Sequence, residues 1–171
     1  QDQMLYSATY YDKYGKVLRS IAENHLRGKD VVTNQYENIT DLVLVTQQNS
    51  FKGGKNTTLK RIFEYDHAGR LLVTRLKIND QAEITENALV YNEVGQVYIK
   101  YLHAAQTSGA RSFSQKIDQQ YNLRGWLTKI NDPACTGDND FFGLQLCYES
   151  ASALGTLGSG VTGYYNGNIQ R

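Results

Sequence analysis

Tyr65-Asp66-His67-Ala68-Gly69-Arg70-Leu71 is the stretch that decides how this chain folds. Asp at the first turn position accepts from backbone amides, and Gly three residues later supplies a positive φ, so the heptapeptide reads as a hairpin turn. With Gly69 forming a bulge on the trailing side, Tyr65 stands opposite Leu71 and the two side chains share one face. Stepping outward by two on each strand then pairs Phe63 with Val73, which makes that face consistently apolar. The flanks Ile62-Phe63-Glu64-Tyr65 and Leu71-Leu72-Val73-Thr74-Arg75-Leu76 alternate at period two, and no window sustains helical spacing.

The pattern Tyr-[Asp/Asn]-x-x-Gly-x-apolar recurs along the chain. It stands at Tyr11-Asp12-Lys13-Tyr14-Gly15-Lys16-Val17, Tyr91-Asn92-Glu93-Val94-Gly95-Gln96-Val97 and Tyr121-Asn122-Leu123-Arg124-Gly125-Trp126-Leu127. A decayed copy, Tyr36-Glu37-Asn38-Ile39-Thr40-Asp41-Leu42, keeps the tyrosine and the apolar residue and carries Thr40 where Gly is expected. Successive tyrosines are 25, 29, 26 and 30 residues apart. The expectation is a single repeat-built domain over 1–171, with hairpin units near 5–24, 30–49, 58–78, 83–106 and 111–131. Polar turn segments such as Lys52-Gly53-Gly54-Lys55-Asn56, Asn79-Asp80-Gln81 and Thr107-Ser108-Gly109 join one ribbon to the next.

After Asn131 the rhythm breaks. An insertion fills 132–163, and a further unit begins at 164–171 with Tyr164-Tyr165-Asn166-Gly167-Asn168-Ile169. Within the insertion Phe142, Leu144, Leu146 and Tyr148 alternate with Gly143, Gln145 and Cys147, which predicts one more strand with its apolar edge turned to the core. The predicted fold class is therefore all-β, a series of tandem antiparallel hairpins forming an open, twisted and curled sheet with at least one exposed edge.

Composition agrees with that reading. The chain has 171 residues, enough for a substantial core, and its 40% apolar content fits a globular or repeat protein rather than a disordered one. Its 13 Tyr and 15 Gly against a single Pro suit β-ribbons closed by tight turns. Lys and Arg total 18 against 17 Asp and Glu, without a block of like charge, so there is no electrostatic footprint for nucleic acid or an anionic membrane. The longest aliphatic run, Leu42-Val43-Leu44-Val45, falls far short of the roughly 20 residues of a spanning helix. The numbering opens at Gln1 with no signal pattern, and the expectation is a mature or excised fragment of a longer chain.

These residues resemble a known family. Tyr65 to Leu71 looks like the YD repeat of rearrangement-hotspot (RHS) proteins and related toxin shells. Tyr121 to Asn131, followed by Phe141-Phe142-Gly143-Leu144 and Tyr165-Asn166-Gly167-Asn168-Ile169, is similar to the Bacteroidetes version of these repeats. The resemblance is tight from about residue 60 onward and loose before it. It implies tandem hairpins in a long ribbon that spirals into a hollow shell, often around a C-terminal toxin, in proteins exported to the cell surface or beyond. On that basis the chain is a non-enzymatic shell segment whose partners are the remaining repeats of its parent and a toxin or other cargo. A carbohydrate- or cell-surface-binding module is the alternative, and a glycan-active enzyme is third. The paired Asp-Pro-x-Gly elements of self-cleaving shells are missing, because Asp132-Pro133 is followed by Ala134-Cys135 with no second copy.

The residues point to no catalytic residue, metal ligand or cofactor. His25, His67 and His103 fall in different units without metal-like pairing, and a solvated surface is the reading for each. Gly158-Ser159-Gly160 is not a nucleophile elbow, and Gly53-Gly54-Lys55 lacks phosphate-loop spacing. Asp138-Asn139-Asp140 has neither EF-hand spacing nor a bidentate Glu. The recurring residues Tyr11, Asp12, Gly15, Tyr36, Tyr65, Asp66, Gly69, Tyr91, Asn92, Gly95, Tyr121, Asn122 and Gly125 are all assigned to turn formation. Trp126 sits at the variable position after the turn glycine. It is either an exposed platform for stacking a sugar or, the favoured reading, packed against a neighbouring hairpin. Cys135 and Cys147 bracket a short loop in which an exported protein permits a disulfide, two reduced thiols being the alternative.

Overall fold

The computed structural model describes residues 4–25, 27–105, 112–134 and 140–148, without the side chains of Lys52 and Ala105. Every regular element among them is a strand. In chain order these are β1 (Ser7–Tyr11), β2 (Val17–Glu23), β3 (Lys29–Tyr36), β4 (Val43–Lys52), β5 (Lys55–Tyr65), β6 (Leu71–Ile78), β7 (Ile84–Tyr91), β8 (Val97–Ala105), β9 (Phe113–Tyr121), β10 (Leu127–Ile130) and β11 (Leu144–Gln145). Neighbours in the sheet follow chain order from β1 to β11, so among the described residues β1 and β11 each have one partner and the sheet is open. The chain divides into two compact units, residues 1–89 with 102–114, and 90–101 with 115–171. No helix among the described residues is long and apolar enough to cross a membrane.

The tyrosine turns set the register. Tyr11 pairs with Val17, Tyr65 with Leu71 and Tyr121 with Leu127, each pair six residues apart and on one face. A register shift follows immediately. Beyond Tyr65 the ladder continues as Glu64 with Val73 and Phe63 with Thr74. The expected Phe63–Val73 pair therefore does not form. The bulge puts Leu71 and Leu72 opposite Tyr65, and one extra residue on the trailing strand moves every later pair by one.

The opposite ends of the ribbons close by other means. Gly53 and Gly54, at φ +54° and +78°, make a two-residue loop between the paired Lys52 and Lys55. Two successive left-handed residues match the twist of the flanking strands. Between β2 and β3, Asn24 accepts from Gly28 N at 2.9 Å through its side chain and from Arg27 N at 3.1 Å through its carbonyl. A Cβ at Gly28 would lie 1.6 Å from the Phe51 carbonyl oxygen on β4, so only glycine fits where that loop crosses the end of the sheet.

Among the described residues, the substantial core that the chain length allows is not assembled. Among the described residues the buried hydrophobics are Val31, Ala104 and Cys147, and the buried polar residues are Thr74, Thr85 and Asn131. Most strand residues are half-buried, covered by cross-strand neighbours within one sheet. The strand expected over 142–148 is also different. Leu144, Leu146 and Tyr148 are half-buried and Gln145 is exposed, as expected, but Phe142 is exposed and Cys147 buried, against the expected facing at those two positions, and only Leu144–Gln145 forms ladder pairs, with Ile130 and Lys129.

Candidate functional site

Of the five tyrosine turns, all but the second share one hydrogen-bond plan. In the third, Asp66 N donates to Arg70 O at 2.9 Å and Gly69 N donates to Asp66 O at 3.0 Å. The Asp66 Oδ1 atom accepts from the Ala68 and Arg70 amides, both at 2.9 Å. Asp12 does the same for Tyr14 N and Lys16 N at 2.8 and 2.9 Å, and Asn122 for Arg124 N and Trp126 N at 3.0 and 2.9 Å. Asn92 accepts from Gln96 N at 2.8 Å. Gly15, Gly69, Gly95 and Gly125 have φ between +79° and +85°. This is a type I turn followed by a left-handed bulge residue. The Lys16 amide holds the Asp12 carboxyl below its ordinary value, and the Arg70 amide and guanidinium do the same for Asp66.

The second turn departs from the plan by one residue. Tyr36 pairs with Val43, not Leu42, and the left-handed residue is Asp41 at φ +61°, not Thr40. Glu37, one methylene longer than Asp, reaches across the longer loop to accept from Ile39 N, Thr40 N and Thr40 Oγ1 at 3.1, 2.6 and 2.6 Å. The Thr40 hydroxyl and amide hold its carboxyl low.

Three of the repeat tyrosines join their hairpin to the one before it. Tyr36 Oη donates to Val17 O at 2.9 Å, Tyr65 Oη to Val43 O at 2.9 Å and Tyr121 Oη to Val97 O at 2.8 Å. The acceptor is always the first strand residue after the preceding turn. Burial raises the phenol pKa of Tyr65 and Tyr121 above the ordinary value, in keeping with an oxygen that must keep its proton to donate. Tyr148 Oη makes the same bond to Leu127 O at 2.9 Å. The repeat therefore does not pause at Asn131 as the pattern suggested. Tyr148 is its next tyrosine, 27 residues after Tyr121, and the missing turn glycine after it hid that role.

A second recurring device escaped the sequence reading. Lys-Ile-Asn-Asp occurs twice, at 77–80 and 129–132. Asn79 and Asn131 are left-handed at φ +50°, and each clamps a residue of the partner strand with two bonds. Asn79 N donates to Thr58 O and Thr58 N to Asn79 Oδ1, while Asn131 N donates to Asp118 O and Asp118 N to Asn131 Oδ1, all at 2.8 Å. Asn131 Nδ2 also holds Phe142 O at 2.9 Å. That bond ties down the approach to β11, where a Cβ at Gly143 would meet Asp132 O at 2.2 Å.

At three turns the residue after the left-handed position lies against the next turn. Lys16 pairs with Asp41, Leu42 Cδ1 would lie 3.7 Å from a Cβ at Gly69, and Gln96 Nε2 donates to Gly125 O at 3.2 Å, whereas Arg70 turns back to its own Asp66. Trp126 is half-buried, its ring 5.2 Å from that of Tyr148 and capped by the Arg124 guanidinium at 5.0 Å. The last two turns border an open groove of about 950 Å³ lined by Asn92, Gln96, Tyr98, Gln119, Asn122 and Arg124 among others.

His25, His67 and His103 are exposed, and no group of three metal-ligating side chains occurs among the described residues. Cys147 is a free, buried thiol. Cys135, Asp138, Asn139, Gly158 to Gly160 and Tyr164 to Ile169 lie outside the described residues. No protein-family model matches the chain, and no curated protein matches its sequence.

Proposed function

We propose that this chain is a non-enzymatic structural segment of an exported YD-repeat (RHS-type) protein, part of a wall around a toxin or other cargo. The observation that supports this most is the tyrosine bond repeated at Tyr36, Tyr65, Tyr121 and Tyr148, which at each of these four places fastens a strand to the preceding hairpin. Such a rule contains no stop, so a sheet built by it suits an extended surface rather than a closed domain around a cleft. The side chains of Asp12, Asp66, Asn92 and Asn122 are engaged by their own turn amides, which leaves the recurring polar residues to architecture rather than to acid/base chemistry. Protease treatment of intact producing cells is the test. Loss of the chain from the cell exterior is the expected result, and a chain protected until the cells are lysed overturns the reading.

The groove between the last two turns supports a second reading, a surface that binds a neutral glycan through amide side chains and the Tyr98 ring. Binding on a glycan array that is lost in Tyr98→Ala and kept in Trp126→Ala would favour it over the wall.

A further inference from the structure

The groove between the fourth and fifth turns lies within one compact unit and is bridged by a side chain of its own wall. Gln96 Nε2 donates to Gly125 O at 3.2 Å, and a Cβ at Gly125 would lie 3.2 Å from the same nitrogen. The turn residues have already used their side-chain carbonyls. Asn92 Oδ1 accepts from Gln96 N, Gln96 Oε1 from Asn92 Nδ2, and Asn122 Oδ1 from Arg124 N and Trp126 N. Their remaining hydrogen-bonding groups are donors. Asn122 Nδ2 has no acceptor among the described residues, and the Arg124 guanidinium is the one charged group among the described residues lining the groove.

Two more features narrow what such a groove takes. Its lips are aliphatic, with Val94 78% exposed on one turn and Leu123 fully exposed on the other. A sugar packs on aromatic faces, and the nearby Trp126 ring is already stacked on Tyr148 and capped by Arg124, so paired aliphatic lips suit an apolar side chain better. The charge also reverses along the groove. Tyr98, Gln119 and Gln120 line both it and an adjoining hollow of about 320 Å³, where Asp118, Asp132 and Asp140 face a single ammonium, that of Lys129.

We infer that this trough binds an extended peptide segment of a partner protein, acidic at one end and basic at the other. A carboxylate meets Arg124 and Asn122 Nδ2, the apolar side chain beside it sits between Val94 and Leu123, and a cation follows over Asp118, Asp132 and Asp140. Charge complementarity selects this occupant, because donors at one end and carboxylates at the other leave a neutral ligand without a partner for either. The inference goes beyond the wall reading and names a different occupant from the neutral glycan.

The test titrates the full chain against an array of labelled heptapeptides, each with one Glu, one Leu and one Lys in a Gly-Ser background, read by fluorescence anisotropy. Peptides with Glu next to Leu and Lys on the far side of Leu should bind best. Exchanging Glu with Lys, or replacing Glu by Gln, should weaken them about tenfold. Arg124→Gln should cost about the same, Arg124→Lys should recover most of the loss, and Leu123→Ser, at a fully exposed position, should weaken binding about threefold. A flat array overturns the inference, as does equal binding of the Glu and Gln peptides or undiminished binding by Arg124→Gln. A neutral oligosaccharide that binds the parent and Arg124→Gln alike, and displaces the peptides, assigns the groove to a glycan and overturns it too. None of these results depends on where the protein resides, so the inference and the wall reading fail separately.

Discussion

The second and third turns do the same work with different parts. Asp66 to Arg70 closes its hairpin with a short carboxylate and Gly69, and Glu37 to Leu42 closes its own with a longer carboxylate, one more residue and no glycine. Both place a tyrosine before the turn whose hydroxyl reaches the preceding hairpin. The repeat preserves a left-handed residue just before the variable position, and a capping oxygen whose reach matches the loop. Residue identity at either place is secondary to that geometry.

The largest effect that would break this comparison is Gly69→Val. A β-branched residue at φ +79° is strained, and the variant should lose about 1–3 kcal/mol in denaturant unfolding. A variant that unfolds at the parent's midpoint would show the third turn to be no more dependent on glycine than the second. In the converse change, Asp41→Gly, relief of left-handed strain should stabilise the second turn by about 1 kcal/mol, partly offset by the lost exposed ion pair to Lys16. A destabilised Asp41→Gly would mean that the Lys16 contact, and not the backbone, governs that turn. Exchanging the caps sharpens the point further. Glu37→Asp is too short for its loop and Asp66→Glu too long, so each should lower the melting temperature by a few degrees, and the double exchange should not rescue either.

The smallest predicted effect is acid sensitivity, read turn by turn. Asp12, Glu37 and Asp66 have native pKa values below the ordinary 3.8 and 4.5, so the unfolded state binds their protons more readily. Their contribution is complete above those ordinary values and is lost as the pH falls through the lowered native ones. Asn92 and Asn122 hold equivalent turns without a titrating group. Amide exchange in acid should accelerate around residues 12–16, 37–42 and 66–70 before it does around 92–96 and 122–126, and simultaneous loss would refute the assignment of these caps.

The fold was legible because a turn with Asp or Asn at its first position and glycine three residues later admits few alternatives, and the period repeats it. The register beyond the turn was not. A bulge is a two-against-one pairing, and Leu72 carries no mark that distinguishes it from Leu71. The second turn misled because Thr40 occupies the column where glycine stands elsewhere, and an inserted residue is invisible when the anchor it displaces is absent. Tyr148 stands in an alternating apolar stretch with no glycine behind it, so the turn pattern does not mark it, and only the period counted from Tyr121 does. The Lys-Ile-Asn-Asp pair was visible as an identical string, but its significance lies in bonds from Asn79 and Asn131 to strands 21 and 13 residues away.

Sheet neighbours in strict chain order bear on how the chain acquires its structure. The tyrosine bonds close loops of 19 to 24 residues, and none reaches further back than the preceding hairpin. Loop-closure entropy grows only slowly with length, and short, uniform loops keep it nearly the same for every hairpin added. A hairpin emerging during synthesis finds its complete partner already made and waits for nothing downstream. Folding then advances as a front at the pace of synthesis, each hairpin templated by the last, and a lesion in one turn should stall the front there while the hairpins before it remain formed.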